Sequence, residues 1–171
     1  MGDMATCPQC RKDLAEVETP AGPALGCDGC AHVWLEANRL EALQASAERS
    51  YTPDDVHSLR AESKARKRAA LQRPVVYCRC PACGNQMLRR TFGEVSFLLV
   101  HFCAAHGFWI HREELEGIAS YVSRGGEILE MTNATARLEE RLRDLESDNR
   151  RLAKRAAESR GGAFIPLILP F

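Results

Sequence analysis

Cys78-Arg-Cys80-Pro-Ala-Cys83 is followed after 19 residues by Cys103-Ala-Ala-His106, two close ligand pairs separated by the length of a short hairpin. It has an earlier counterpart: Cys7-Pro-Gln-Cys10 and, after 16 residues, Cys27-Asp-Gly-Cys30. Both copies run C-P-x-C and then a second close pair, C-x-x-C in the first and C-x-x-H in the second, with Cys80 placed 73 residues after Cys7. A C-x-x-C turn brings two thiolates within about 4 Å, and a second such turn completes a tetrahedral zinc shell at Zn–S distances of about 2.3 Å. Proline after the first cysteine favours the turn, and Gly84 after Cys83 lets backbone amides approach the sulfurs.

The spacing therefore predicts two zinc ions per chain, one held by Cys7, Cys10, Cys27 and Cys30, the other by Cys80, Cys83, Cys103 and His106. Four protein ligands leave no coordination position for water or substrate, which makes both sites structural rather than catalytic. A nodule of roughly 35 residues buries too little apolar surface to fold alone, so the metal is expected to supply much of its folding free energy. Replacing Cys7 or Cys80 is accordingly expected to unfold its own ribbon. Eight cysteines without a recognisable secretory leader suit reduced thiols and a cytoplasmic setting. No membrane span is expected, because the longest apolar run, Ala163 to Phe171, is nine residues with two prolines inside it, against the roughly 20 that a bilayer crossing needs.

After each second ligand pair comes a related segment, Val33-Trp34-Leu35-Glu36-Ala37-Asn38-Arg39-Leu40 in the first copy and Phe108-Trp109-Ile110-His111-Arg112-Glu113-Glu114-Leu115 in the second. With the ligand pairs, these segments resemble the transcription factor IIB-type zinc-ribbon family of small bacterial proteins, in two divergent copies over residues 5–42 and 77–126. The second copy matches through Cys80, Cys83, Cys103, His106, Gly107, Trp109, Glu114 and Leu115, with His111 where the family prefers aspartate. The first carries His32 for the glycine, Glu36 for the aspartate and Arg39 for the glutamate. The resemblance implies short antiparallel strands, a following helix and bound zinc, and implies little about activity.

Val95 to Phe102 is β-branched and aromatic enough for a strand that delivers Cys103 to the metal. Trp34 and Trp109 are read as core residues beside the sites. His32, His101 and His111 are read as surface or strand imidazoles, and Cys78 as a silent thiol on an entering strand, with a ligand or redox role as its alternative. Leu35 to Ser50 reads as a helix; Thr52-Pro53-Asp54-Asp55 starts another, which runs to about Gln72 before Pro74. This second helix carries a basic stretch from Arg60 to Arg73 that includes Lys64, Arg66, Lys67 and Arg68, the candidate nucleic-acid contacts.

From Glu127 to Arg160 the period becomes heptad, with Ile128, Thr135, Leu142, Asn149 and Ala156 at a, and Met131, Leu138, Leu145 and Leu152 at d. This predicts a parallel coiled-coil dimer whose interface includes Leu138, Leu142, Leu145, Asn149 and Leu152, with Arg141 at g facing Glu146 at e. Beyond Gly161-Gly162 the apolar tail offers Phe164, Ile165, Leu167, Ile168, Leu169 and Phe171. Its prolines exclude a helix and favour an extended peptide docked in a groove on a partner or on this protein.

The expected fold class is thus α+β: two zinc-ribbon nodules (1–42 and 77–126) joined by a helical linker (43–76), then a coiled-coil helix (127–160), a glycine hinge and the tail (161–171). Formal charges balance over the chain, but residues 1–40 hold three basic against six acidic side chains. Four thiolates on a divalent ion make that region more acidic still, opposite to a phosphate-binding footprint. No nucleophile with a positioned base, no paired carboxylates at a plausible site and no phosphate loop are recognisable, so the expected function is non-enzymatic. It is that of a zinc-binding adaptor, dimeric and bound to a protein partner. The alternative is a nucleic-acid-binding or transcription-associated regulator that uses the 60–73 helix.

Overall fold

The computed structural model of the protein describes residues 6–46, 50–72 and 74–161. The tail residues Phe164, Ile165, Leu167, Ile168, Leu169 and Phe171 lie outside the described residues, as does Arg73. Residues 1–130 form one compact unit and residues 131–171 a second. No helix among the described residues is long and apolar enough to cross a membrane.

In the first unit each half opens with a cysteine loop closed by an isolated bridge, Thr6 with Asp13 and Arg79 with Gln86. The first half continues as β1 (Ala15–Thr19), β2 (Gly22–Cys27) and β3 (His32–Leu35), the second as β4 (Leu88–Phe92), β5 (Leu98–Cys103) and β6 (Gly107–His111). Within each half the strands pair antiparallel in sequence order.

Two separate nodules were expected; the strands instead build one sheet, in the order β1-β2-β3-β6-β5-β4. Its seam is the antiparallel pair β3–β6, with His32 opposite His111, Val33 opposite Ile110, Trp34 opposite Trp109 and Leu35 opposite Phe108. In a lone ribbon each of these would be an edge strand with unpaired backbone groups. Both are also apolar on both faces: Val33, Trp34, Leu35, Phe108, Trp109 and Ile110 are all buried. Pairing them satisfies the edges and removes those side chains from water at once.

Alternation along the strands sorts side chains onto two faces. Val33, Leu35, Val100, Phe108 and Ile110 point to a core completed by helices, while Trp34 and Trp109 point to a second cluster containing the cysteines. The helical layer comprises α1 (Ala37–Ser46), α2 (Pro53–Gln72), α3 (Arg112–Ser123) and the first turn of α4 (Gly126–Gly161). Leu40 and Leu43 of α1, Leu59 of α2, Leu115, Ile118 and Tyr121 of α3, and Leu129 of α4 supply its apolar side chains. The helix expected from Leu35 starts at Ala37, because Leu35 is committed to β3. The expected strand from Val95 starts at Leu98: Phe97 has φ 55°, and the Ser96 hydroxyl donates to the Phe92 carbonyl and accepts from the Leu98 amide, which closes a tight turn.

α2 begins where its sequence signals it. The Thr52 amide and hydroxyl both donate to Asp55 Oδ2 at 2.8 Å, and the Asp55 amide returns a bond to the Thr52 hydroxyl at 3.3 Å, a reciprocal cap. These bonds from Thr52 hold the Asp55 carboxyl below its usual range. Two residues unremarked in the sequence lock the layer. Arg124, after α3, donates to Glu62 at 2.9 Å and to the Ser58 hydroxyl. The Glu130 carboxylate accepts from the Tyr121 hydroxyl at 2.9 Å and from the amides of Glu94 at 3.0 Å and Val95 at 3.1 Å.

In the second unit α4 is a continuous helix whose Met131, Leu138, Leu142, Leu145 and Leu152 are each 59–61% exposed.

Gly107 sits at φ 132°, where an added Cβ would run into the Leu35 carbonyl across the seam; at Gly84, φ 71°, the same atom would meet open space. Gly107→Ala is therefore expected to cost more than about 2 kcal/mol and Gly84→Ala only about 1 kcal/mol, compared by urea unfolding of the metal-loaded protein.

Candidate metal centres

Cys7 and Cys10 lie in the loop before β1, Cys27 ends β2 and Cys30 sits in the β2–β3 turn. Cys80 and Cys83 precede β4, Cys103 ends β5 and His106 sits in the β5–β6 turn. In each set the four ligand atoms lie within 4.8 Å of one another, so each could hold a metal ion. Cys7 Sγ is 3.5 Å from Cys30 Sγ and Cys10 Sγ is 3.3 Å from Cys27 Sγ. In the second set Cys83 Sγ is 3.9 Å from Cys103 Sγ, and His106 Nδ1 is 3.5 Å from Cys103 Sγ and 3.8 Å from Cys80 Sγ.

The two loops are also alike in backbone geometry. The Arg11 amide donates to the Cys7 carbonyl at 2.9 Å, and the Gly84 amide to the Cys80 carbonyl at 2.8 Å. Both closing residues are left-handed, Arg11 at φ 61° and Gly84 at φ 71°. Glycine takes that conformation freely, whereas arginine carries a cost of about 1–2 kcal/mol. The amides of Gln9 and Cys10 donate to Cys7 Sγ at 3.4 Å, placing positive dipole ends where a thiolate must be stabilised.

The thiols within each set are unequal. Burial raises Cys27, but bonds from Cys10 and from the Cys30 and Gly29 amides outweigh it and bring the thiol down to about 7. Burial likewise opposes ionisation at Cys103, and its bonds with His106, the Ala105 amide, Cys80 and Cys83 bring it down to about 7. Burial pushes Cys80 up to about 11 and Cys30 higher than an ordinary thiol. In both sets the thiol that is lowered is the one that ends a strand.

Trp34 and Trp109 face each other across the seam and share one buried cluster with Cys7, Cys27, Cys78, Cys80, Met87 and Cys103. Cys78 belongs to neither set; it is buried, and burial raises its thiol. His32, His101 and His111 also stand outside both sets. His32 stacks on Trp109 at 5.6 Å between centroids and meets His111 edge-on at 5.1 Å, and burial lowers its pKa.

Of the candidate nucleic-acid contacts, Lys64 and Arg68 are exposed on α2. Arg66 is held by Glu62 at 3.0 Å and donates to the Ser96 carbonyl at 3.5 Å, and the Lys67 ammonium lies 5.5 Å from the Phe97 ring centroid. No family model, curated protein or solved structure matches the chain.

Because the halves share a sheet, Cys7→Ser and Cys80→Ser are each expected to loosen the whole of residues 1–130, detected as lost amide-exchange protection in both halves. In the metal-free protein Cys27 and Cys103, lowered to about 7, are largely thiolate at pH 8 and largely protonated at pH 6. Metal binding should then release more protons per ion at pH 6 than at pH 8, and affinity should fall as pH drops through 7. Calorimetry in buffers of different ionisation enthalpy measures this.

Proposed function

We propose that the protein is a non-enzymatic, zinc-stabilised adaptor that pairs with a second copy of itself through α4 and offers its surfaces to a protein partner. Zinc is the ion the donors suit best: Cys7, Cys10, Cys27 and Cys30 in one set, and Cys80, Cys83, Cys103 and His106 in the other. Soft thiolates with one imidazole, four per site, leave no position for a substrate or an attacking water. When bound, the metal would supply cross-links between the cysteine loops and the strand ends. The repeated ligand order, the two three-stranded halves and the tryptophans beside the sites support membership of the zinc-ribbon group that the sequence resembles.

The observation that carries the adaptor reading is the exposed leucine row on α4, with Leu138, Leu142, Leu145 and Leu152 all 59–61% exposed. Such a row at heptad spacing is a liability in a monomer. A second copy covers it with matched a and d layers, sets Arg141 against Glu146, and pairs Asn149 with its equivalent. The apolar tail after Gly162 is proposed as a contact with the protein partner, in a cytoplasmic setting. The nucleic-acid alternative has less in its favour, since Arg66 and Lys67 are engaged within the first unit.

Sedimentation equilibrium of the zinc-loaded full chain should give a dimer. Leu142→Glu should raise its dissociation constant at least tenfold, as roughly 1.5–3 kcal/mol for a buried leucine implies, with zinc content unchanged. A monomer for the unaltered chain at all concentrations would end the dimer reading. Truncation after Gly162 should leave the dimer intact and abolish recovery of the partner.

A further inference from the structure

We propose that His32 and His111, with His101 beside them, form a third metal site, exchangeable and open to solvent, for a divalent transition-metal ion. His32 and His111 are directly opposite on β3 and β6, and His101 on β5 is opposite Trp109, two residues before His111. Strand alternation therefore places all three imidazoles on one face of three neighbouring strands. They line one cavity of about 360 Å³ together with Glu113, Glu114 and Cys78.

Two of the imidazoles have one nitrogen occupied by a carbonyl oxygen, and the third has a carboxylate nearby. His32 Nδ1 donates to the Cys30 carbonyl at 2.8 Å, and His101 Nε2 donates to the Val76 carbonyl at 3.1 Å. His111 Nδ1 lies 3.8 Å from the Glu113 carboxylate. A carbonyl can only accept, so the nitrogen facing it carries the proton and the opposite nitrogen keeps its lone pair. This leaves His32 Nε2 and His101 Nδ1 as bases, with His111 Nε2 as the third donor when Nδ1 carries the proton toward Glu113. Metal-binding histidines are oriented in this way by outer oxygen partners.

The pair is not a by-product of the internal repeat. Matching Trp34 with Trp109 makes Gly107 the counterpart of His32 and Glu36 the counterpart of His111. One end of the β3–β6 seam thus carries two imidazoles, and the related end a glycine and a carboxylate. Two glutamates against Arg89 on the cavity wall favour a cation over an anion, and nitrogen donors favour nickel(II), copper(II) or zinc(II) over magnesium or calcium. Among the described residues only the two cysteine-rich sets have every ligand atom within 4.8 Å, so the three histidine side chains must draw together to close on an ion, and they hold it more weakly than the thiolates.

The test uses the full-length protein, loaded with zinc to constant content, then dialysed against nickel(II), with both metals measured per chain. The unaltered protein is expected to take up one nickel ion with no loss of zinc. His111→Phe and His101→Gln should each weaken that uptake about tenfold or more while zinc content and helicity stay as before. No nickel uptake, nickel gained only as zinc is lost, or equal uptake by both variants would each overturn the proposal. Should His111→Phe fail to retain zinc, His101→Gln alone decides, because its glutamine keeps a donor for the Val76 carbonyl.

Discussion

The pairing of β3 with β6 is the interaction on which the rest of the first unit depends. It converts two three-stranded ribbons, each too small to enclose a core, into a sheet broad enough to carry helices on one face. Val33, Leu35, Phe108 and Ile110 sit at the centre of that face, and side chains from all four helices gather over them. On the other face the same pairing sets Trp34 against Trp109 and makes the surroundings of the two cysteine sets continuous. The cysteine-rich sets and the helical core are thus built on opposite sides of one seam.

This arrangement ties the two sets together mechanically. In an isolated ribbon, loss of the ion would release only its own loops. Here Cys27 lies at the end of β2, next to β3, and Cys103 at the end of β5, next to β6, so disorder at either set reaches the shared seam within one strand. Trp34, Trp109 and Met87 are buried in the cluster that holds cysteines of both sets. Each set brings four possible ligand atoms within 4.8 Å of one another on the same sheet. The long helix α4 carries its leucine row exposed.

Much of this was legible from local rules. The ligand sets follow from cysteine spacing because two C-x-x-C or C-x-x-H turns need only a few residues each to adopt their geometry. The start of α2 at Pro53 and its end at Gln72 follow from Thr52, Asp55 and Pro74, all within one turn of the boundary. The helical register of α4 follows from a heptad pattern that repeats along its whole length. The strand starting at Leu98 instead of Val95 was less legible, since Phe97 gives no composition signal for a left-handed backbone. Arg124 and Glu130 were missed for a related reason: their partners, Glu62 and Val95, are distant in sequence, and a single charged residue does not announce a distant partner.

The amino-acid sequence by itself determined the two cysteine-rich sets, the order of the elements and the amphipathic row on α4, because each depends on contacts within one turn or one repeat. Only the tertiary structure decided that the ribbons share a sheet. An edge strand can pair with any complementary edge, and His32-Val33-Trp34-Leu35 and Phe108-Trp109-Ile110-His111 carry no mark that names each other as partners. The meeting of His32, His111 and His101 was decided at the same step, since three imidazoles spread over the chain share a cavity only after β3, β6 and β5 lie side by side.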